Sequence, residues 1–208
     1  MPDTGPGQDN TTARIVKGIP PERLDEAAVL LFDAFDQKIR HELKPRSPEQ
    51  AHRIIARSLT PELGWLALAV DGTVLGVTGV GMRGHHFSLI GFRLLVAEFG
   101  VPGALRRWPF TVLERVTTRP PREHWRIEVL AVAESARGTG IGTELLKAVI
   151  ESAREAGMRS VGLEVVDVND GALRLYERLG FEPVRTVRTG RLTSGGGYRG
   201  IHFMRLGL

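Results

Sequence analysis

The chain of 208 residues contains no cysteine. Disulfides, thiolate metal sites and a cysteine nucleophile are therefore excluded, and the redox compartment is left unconstrained. No uninterrupted apolar run is long enough to span a bilayer. The first ten residues are polar with Pro and Gly, and they lack the basic start and apolar stretch of a secretory signal. These absences give the expectation of a cytoplasmic protein with no membrane partner. His41, His52, His85, His86 and His124 show no mutual spacing that suggests metal ligation, so no metal site is expected. What remains is ordinary for a globular protein: 42% hydrophobic and 25% charged residues, in a chain long enough for one domain with a proper core.

The formal net charge is +4, and it is concentrated. Between residues 83 and 122 lie seven arginines (83, 93, 106, 107, 115, 119 and 122) against Glu98 and Glu114, so this segment carries +5 and the rest of the chain −1. A basic segment can mark nucleic-acid binding, but no nucleic-acid motif accompanies it. A solvated arginine-rich helix face, or attraction of an anionic ligand, fits the pattern, and no nucleic-acid partner is expected.

Residues 1–12 read as a disordered tail, and residues 13–208 as a single domain. Arg14 to Lys17 predicts a first strand. Pro21 starts a helix whose apolar positions Leu24, Ala27, Ala28, Leu31, Phe32 and Phe35 recur at helical spacing. Ser47 can cap a second helix carrying Ile54, Ile55 and Leu59. Residues 65–70 and 74–80 predict two strands around the hairpin dipeptide Asp71-Gly72. In the basic segment, Phe87, Leu89, Ile90, Leu94, Leu95, Val96 and Phe99 suggest a helix ended by Gly100 and Pro102. Leu105, Trp108, Val112, Leu113 and Val116 suggest another. Trp125 to Val132 reads as a central strand, because its apolar run is nearly continuous. A helix with Ile141, Leu145, Val149, Ile150 and Ala153 on one stripe ends at Gly157. Strand 161–166, helix 170–179 and two closing strands around a loop at 189–199 complete the order β-α-α-β-β-(helical insert)-β-α-β-α-β-β. The fold class is α/β in the sense of layered α+β, with a mixed sheet.

Arg137-Gly138-Thr139-Gly140-Ile141-Gly142 stands directly between the central strand and the amphipathic helix. Glycines at alternate positions let backbone N–H groups point at an anion, and the helix dipole favours negative charge there. A pyrophosphate is the expected cargo. The spacing is not the dinucleotide fingerprint, since the third glycine comes one residue early, and the P-loop pattern is absent. One strand later come Asn169, Ala172, Tyr176, Gly180 and Phe181, spaced N-x-x-A-x-x-x-Y-x-x-x-G-F.

With Leu130-Ala131-Val132 ahead of the glycines, these two constellations resemble the GNAT superfamily of acetyl-CoA-dependent N-acetyltransferases. The likeness is specific from about Trp125 to Phe181. It implies a mixed, mostly antiparallel sheet of about seven strands flanked by helices, with residues 83–122 as a helical insert between strands three and four. It implies that strands four and five splay apart to take acetyl-CoA. The backbone of Leu130, Ala131 and Val132 would hold the pantetheine arm, with the Val132 N–H near the thioester oxygen. The turn Arg137, Gly138, Thr139, Gly140, Ile141, Gly142 and Thr143 would hold the pyrophosphate, and Asn169 would bond the pantetheine amides. Where the family often has proline two residues after Val132, this chain has Glu134.

Tyr176 matches the family's acid for the leaving thiolate; a phenol's ordinary pKa is near ~10. The base is expected at Glu164, five residues before Asn169, or at Glu128, a carboxylate inside an apolar strand that needs a role or a partner. If strand alternation holds, Glu128 shares a face with Leu130 and Val132. The implied reaction moves an acetyl group from acetyl-CoA to the primary amine of a small molecule by direct attack in a ternary complex. A protein or peptide N-acetyltransferase and a non-catalytic acyl-CoA-binding module remain as alternatives. Residues 21–58 and 188–200 would wall the acceptor site, and the insert is expected to act as a lid over it or as a homodimer surface.

Overall fold

A computed structural model describes residues 13–117, 120–188 and 198–208. The segment read as a tail, 1–12, and most of the loop at 189–199 lie outside the described residues. Among the described residues no helix is long and apolar enough to cross a membrane.

The chain runs β1 (Arg14–Lys17), α1 (Leu24–Leu43), α2 (Pro48–Ser58), β2 (Gly64–Leu68), β3 (Val74–Gly81), α3 (Phe92–Thr117), β4 (His124–Val132), α4 (Ile141–Glu155), β5 (Ser160–Val166), α5 (Asp170–Arg178), β6 (Glu182–Arg188) and β7 (Gly200–Gly207). The element order matches the sequence expectation. Local chemistry explains most boundaries. The Gln50 N–H donates to Ser47 Oγ (3.3 Å), which caps α2. The Thr73 N–H donates to Asp71 Oδ1 (2.9 Å) in the β2–β3 hairpin, where Gly72 takes φ 85°. The Ala172 N–H donates to Asn169 Oδ1 (3.1 Å), capping α5.

Seven strands form one sheet in the order β1-β2-β3-β4-β5-β7-β6. Every pairing is antiparallel except β4 with β5, which is parallel because α4 crosses between them. One face of the sheet is packed by α4 and α5. Leu145, Leu146, Val149 and Tyr176 meet Trp65, Val80, Val161 and Leu163 there. The other face is packed by α1 and α2. Ala27, Ala28, Leu31, Phe32 and Ile55 cover Leu66, Val77 and Ala131. On that second face the core stops at β4. The strands β5, β7 and β6 contribute nothing to it, and all seven residues of β6 are exposed.

The insert α3 breaks at Gly100 (φ 71°, ψ 172°), so it is two helices, as the glycine and Pro102 predict. Its first helix starts at Phe92, later than the apolar pattern suggests. Phe87 is instead buried against β2 and β3, where a Cβ on Gly79 would come within 2.0 Å of its ring and one on Gly64 within 2.7 Å. The insert builds a satellite core from Leu43, Ile54, Leu95, Phe99 and Ala104. Arg107 fixes it to α1. Its guanidinium lies over the Phe99 ring (3.8 Å) and donates to the Leu43 and Lys44 carbonyls at the α1 C-terminus (2.5 and 3.2 Å). Among its described residues the basic segment thus contains one buried structural arginine.

Candidate active site

The strands β4 and β5 pair only at His124, Trp125 and Arg126 with Ser160, Val161 and Gly162. Beyond that point β4 stays with β3 and β5 stays with β7, so the two part. The gap opens into a cleft of about 810 Å³. Its walls include Leu130, Ala131 and Val132 on β4, Leu163 and Glu164 on β5, the glycine turn, and Asn169 and Tyr176 from α5. Ala34 and Phe35 line it from α1, and Phe35 has non-helical angles (φ −123°, ψ 24°) that kink the helix at the cleft. Sequence periodicity placed Phe35 in the helix stripe and gave no sign of this kink.

Backbone direction in β4 decides which residues face the gap. The Ala133 N–H donates to Leu75 O on β3 (2.9 Å), and alternate residues of a strand point to opposite sides. Leu130 and Val132 therefore turn their N–H and C=O groups into the gap, and Ala131 turns its own to β3. The Val132 carbonyl accepts a long bond from Arg137 Nε (3.4 Å).

The glycine turn forms the end wall. Gly138 and Gly140 have φ of 79° and 92°, where only glycine is unstrained, and Gly140 is the N-cap of α4. Unlike α2 and α5, α4 has no side chain capping its first turn. A Cβ added at Gly138 or Gly140 would meet nothing, so the space over the donors is open. Thr139 Oγ1 donates to Ala136 O (2.7 Å) and braces the turn. The uncapped N–H groups of Ile141, Gly142 and Thr143 make an anion cradle at a helix N-terminus. This donor set fits a pyrophosphate, and the parted strand edge fits an extended arm with amides, as in acetyl-CoA. Asn169, in the cleft wall, spends its carbonyl oxygen on the α5 cap.

Tyr176 lies in the cleft wall at 7% exposure, its ring edge-on to Phe181 (5.9 Å between centroids). Burial removes water from the phenolate, and its pKa is pushed up to about 12.

The two glutamates part company. On β3, Gly79 pairs with Val129 and Val80 with Ile127, so Glu128 is the extra residue of a β-bulge. The bulge reverses the alternation. Leu130 and Val132 pack on the α4 side, whereas Glu128 turns to the α1 side, so the expected shared face is not found. There its carboxylate, 8% exposed, accepts from His86 Nδ1 (2.8 Å), the Phe87 N–H (3.0 Å), the Ser88 N–H (3.4 Å) and Arg126 Nη2 (3.2 Å). Glu128 holds the chain at residues 86–88 against the sheet, and its oxygens are committed. Glu164 is exposed, and a single Arg126 nitrogen donates to it (Nη1, 3.0 Å). Arg126 was missed by sequence reading, though a second charge in an apolar strand two residues from Glu128 was a usable signal.

Among the described residues of the insert none lines this cleft; α3 packs on α1 and α2.

A parted parallel strand pair, an uncapped glycine N-terminus beside it and a buried tyrosine in the wall form one cleft with free backbone donors at its end. Residues 29–181 match the model of the Acetyltransferase (GNAT) family, and the chain belongs to that family. It is similar to an N-alpha-acetyltransferase of Sulfurisphaera tokodaii (37% identity over 82 residues, 39% of this chain and 48% of that protein). It is also similar to a streptothricin acetyltransferase of Streptomyces lavendulae (44% over 55 residues, 26% and 29%). The chain thus matches less than half the length of each of these relatives. The fold extends further than the sequence likeness. A GCN5-related N-acetyltransferase from Kribbella flavida superposes with a TM-score of 0.59 at 22% identity, covering 94% of this chain and 98% of that one.

Proposed function

We propose that the protein transfers the acetyl group of acetyl-CoA to the amine of a small molecule, by direct attack with both substrates bound. The observation that carries this reading is the parting of β4 and β5 beside the uncapped N-terminus of α4, with Tyr176 and Glu164 on the walls of the same cleft. Acetyl-CoA supplies an activated acetyl thioester and departs as the thiol.

The residues of the chain divide the work around it. The N–H groups of Ile141, Gly142 and Thr143 hold the pyrophosphate, and Gly138 and Gly140 give the turn its shape. The free edges of Leu130 and Val132 and the Asn169 Nδ2 hold the pantetheine arm. The Val132 N–H donates to the oxygen on which negative charge grows during acyl transfer. Glu164 accepts the proton of the acceptor ammonium, which frees the nitrogen lone pair to attack. Arg126 holds one Glu164 oxygen and leaves the other to do this. Glu128 is a positioning residue for Arg126 rather than the base, because its oxygens are taken. Tyr176 donates its phenolic proton to the departing sulfur.

A small acceptor is supported by a second cavity of about 400 Å³ next to Glu164, a size that suits small molecules. The test is thiol release from acetyl-CoA in the presence of a panel of small amines and a panel of peptides. Release with a small amine, and loss of most of it in Glu164→Gln, is the expected result. Release with peptides alone would transfer the reading to a peptide acceptor. Tight acetyl-CoA binding with no release from any amine would leave a binding module.

A further inference from the structure

The second cavity lies on the α1–α2 face of the sheet, past the edge of those helices, where β4, β5, β7 and β6 run side by side. Its floor is Gly162 in the middle of β5. In register, Gly162 lies between Arg126 on β4 and Arg205 on β7. In the next row Glu164 faces Phe203 on β7, and Phe203 faces Arg185 on β6, whose guanidinium lies over the ring (4.5 Å). Pro120 and Pro121 close one side. The backbone does not demand glycine at 162, since its φ is not positive and a Cβ there would first meet Met204 O at 3.4 Å. A glycine in a strand interior weakens the strand, and close approach of a ligand to the backbone is a reason to keep one.

The charges on this floor are unequal. Arg126 is matched by Glu128 and Glu164, although its Nε is buried without a partner. Among the described residues Arg185 and Arg205 have no carboxylate partner; Glu182 stands opposite Arg205 in register and forms no ion pair with it. Two arginines therefore border a cavity of small-molecule size with their charges unspent. Leu163 and Glu164 line both this cavity and the cleft, so the two sites meet at the carboxylate.

We propose that this cavity takes the anionic end of the acceptor, so that the substrate is a small amine carrying a carboxylate or phosphate group. The inference rests on the transfer reading of the neighbouring cleft. An acceptor seated with its anion between Arg205 and Arg185 presents its amine to Glu164, where the proton must leave. The same guanidiniums repel a polycationic amine.

Thiol release from acetyl-CoA, measured with paired probes, tests the idea. The pairs are glycine against glycinamide, β-alanine against β-alaninamide, and phosphoethanolamine against ethanolamine. The expected result is a kcat/KM at least about tenfold higher for the anionic member of one pair, the worth of one charge-assisted bond. The pair that responds tells carboxylate from phosphate. Arg205→Gln and Arg185→Gln each lower that ratio, and Gly162→Val raises the KM of the anionic probe by filling the floor. Thiol release without preference for the anion in any pair, or a preference that survives the double Arg185→Gln, Arg205→Gln variant, overturns this proposal alone. Acetyl-CoA binding with no release from any amine overturns the transfer reading, and this proposal with it.

Discussion

Tyr176 is where burial and chemistry meet most directly. Its pKa of about 12 keeps the phenol protonated at any pH at which the enzyme would work, so the acid form needs no additional partner. Stability carries the same signature. Above pH ~10 the tyrosine of an unfolded chain ionises, while the buried one keeps its proton. The folded state then holds more protons, so stability is complete below pH ~10 and falls as pH rises towards 12, by about 2–3 kcal/mol. Tyr176→Phe should therefore do two things. It should lower kcat by about 100-fold or more while acetyl-CoA affinity stays close to that of the unaltered protein, and it should flatten the alkaline loss of unfolding free energy between pH 10 and 12. Calorimetric binding, steady-state rates and denaturant titrations across that range measure both; an unchanged kcat rejects Tyr176 as the acid. Glu128 shows what the sequence alone could and could not tell at this scale. A carboxylate in an apolar strand announced that it had a partner. Three of its partners, His86, Phe87 and Ser88, stand some 40 residues away and reach it because a bulge turns it to their side.

Among the elements, the starts of α2, α4 and α5 make a natural comparison. Ser47 caps α2 and Asn169 caps α5; the first cap was legible in the sequence, whereas Asn169 was read there only for the pantetheine amides. The α4 start has Gly140 at that position and no side-chain cap, so its donors stay free for a ligand. Gly140→Asp adds a fixed negative charge to the cradle and strains a residue at φ 92°. Acetyl-CoA affinity should fall more than about tenfold by titration calorimetry, since like charges replace a charge-assisted site. Retained affinity would reject the pyrophosphate assignment. The helix and strand order was readable because apolar periodicity and glycine or proline stops are local. The kink at Phe35, the bulge at Glu128 and the seat of Phe87 were not. Each depends on what lies across the sheet: Phe87 belongs to no helix because Gly64 and Gly79, on two other strands, leave room for its ring. The arginine-rich insert illustrates the same limit. Its charge suggested a surface, yet Arg107 is buried on the α1 carbonyls.

At the scale of the whole molecule, the seven-stranded sheet is two sheets sharing a short seam. Three residue pairs join β4 to β5, and the layer of α4 and α5 beneath supplies the rest of the connection. A ligand that lies along the gap forms bonds to both halves only in the folded state, so its binding energy becomes folding energy. At 100 times its dissociation constant, acetyl-CoA should stabilise the protein by about 2.7 kcal/mol, a rise in Tm of about 5–10 °C for a chain of this size. A Tm shift alone would follow from binding anywhere. The alternation in β4 makes the prediction specific. In the free protein the Ala131 amide faces β3 and should exchange slowly, while those of Leu130 and Val132 face the gap and should exchange fast. Acetyl-CoA should slow Leu130 and Val132 by forming the missing bonds, with a smaller effect on Ala131. Equal slowing of all three would mean that the ligand stabilises the fold from elsewhere, and the strand-edge seat for the pantetheine arm would have to be abandoned.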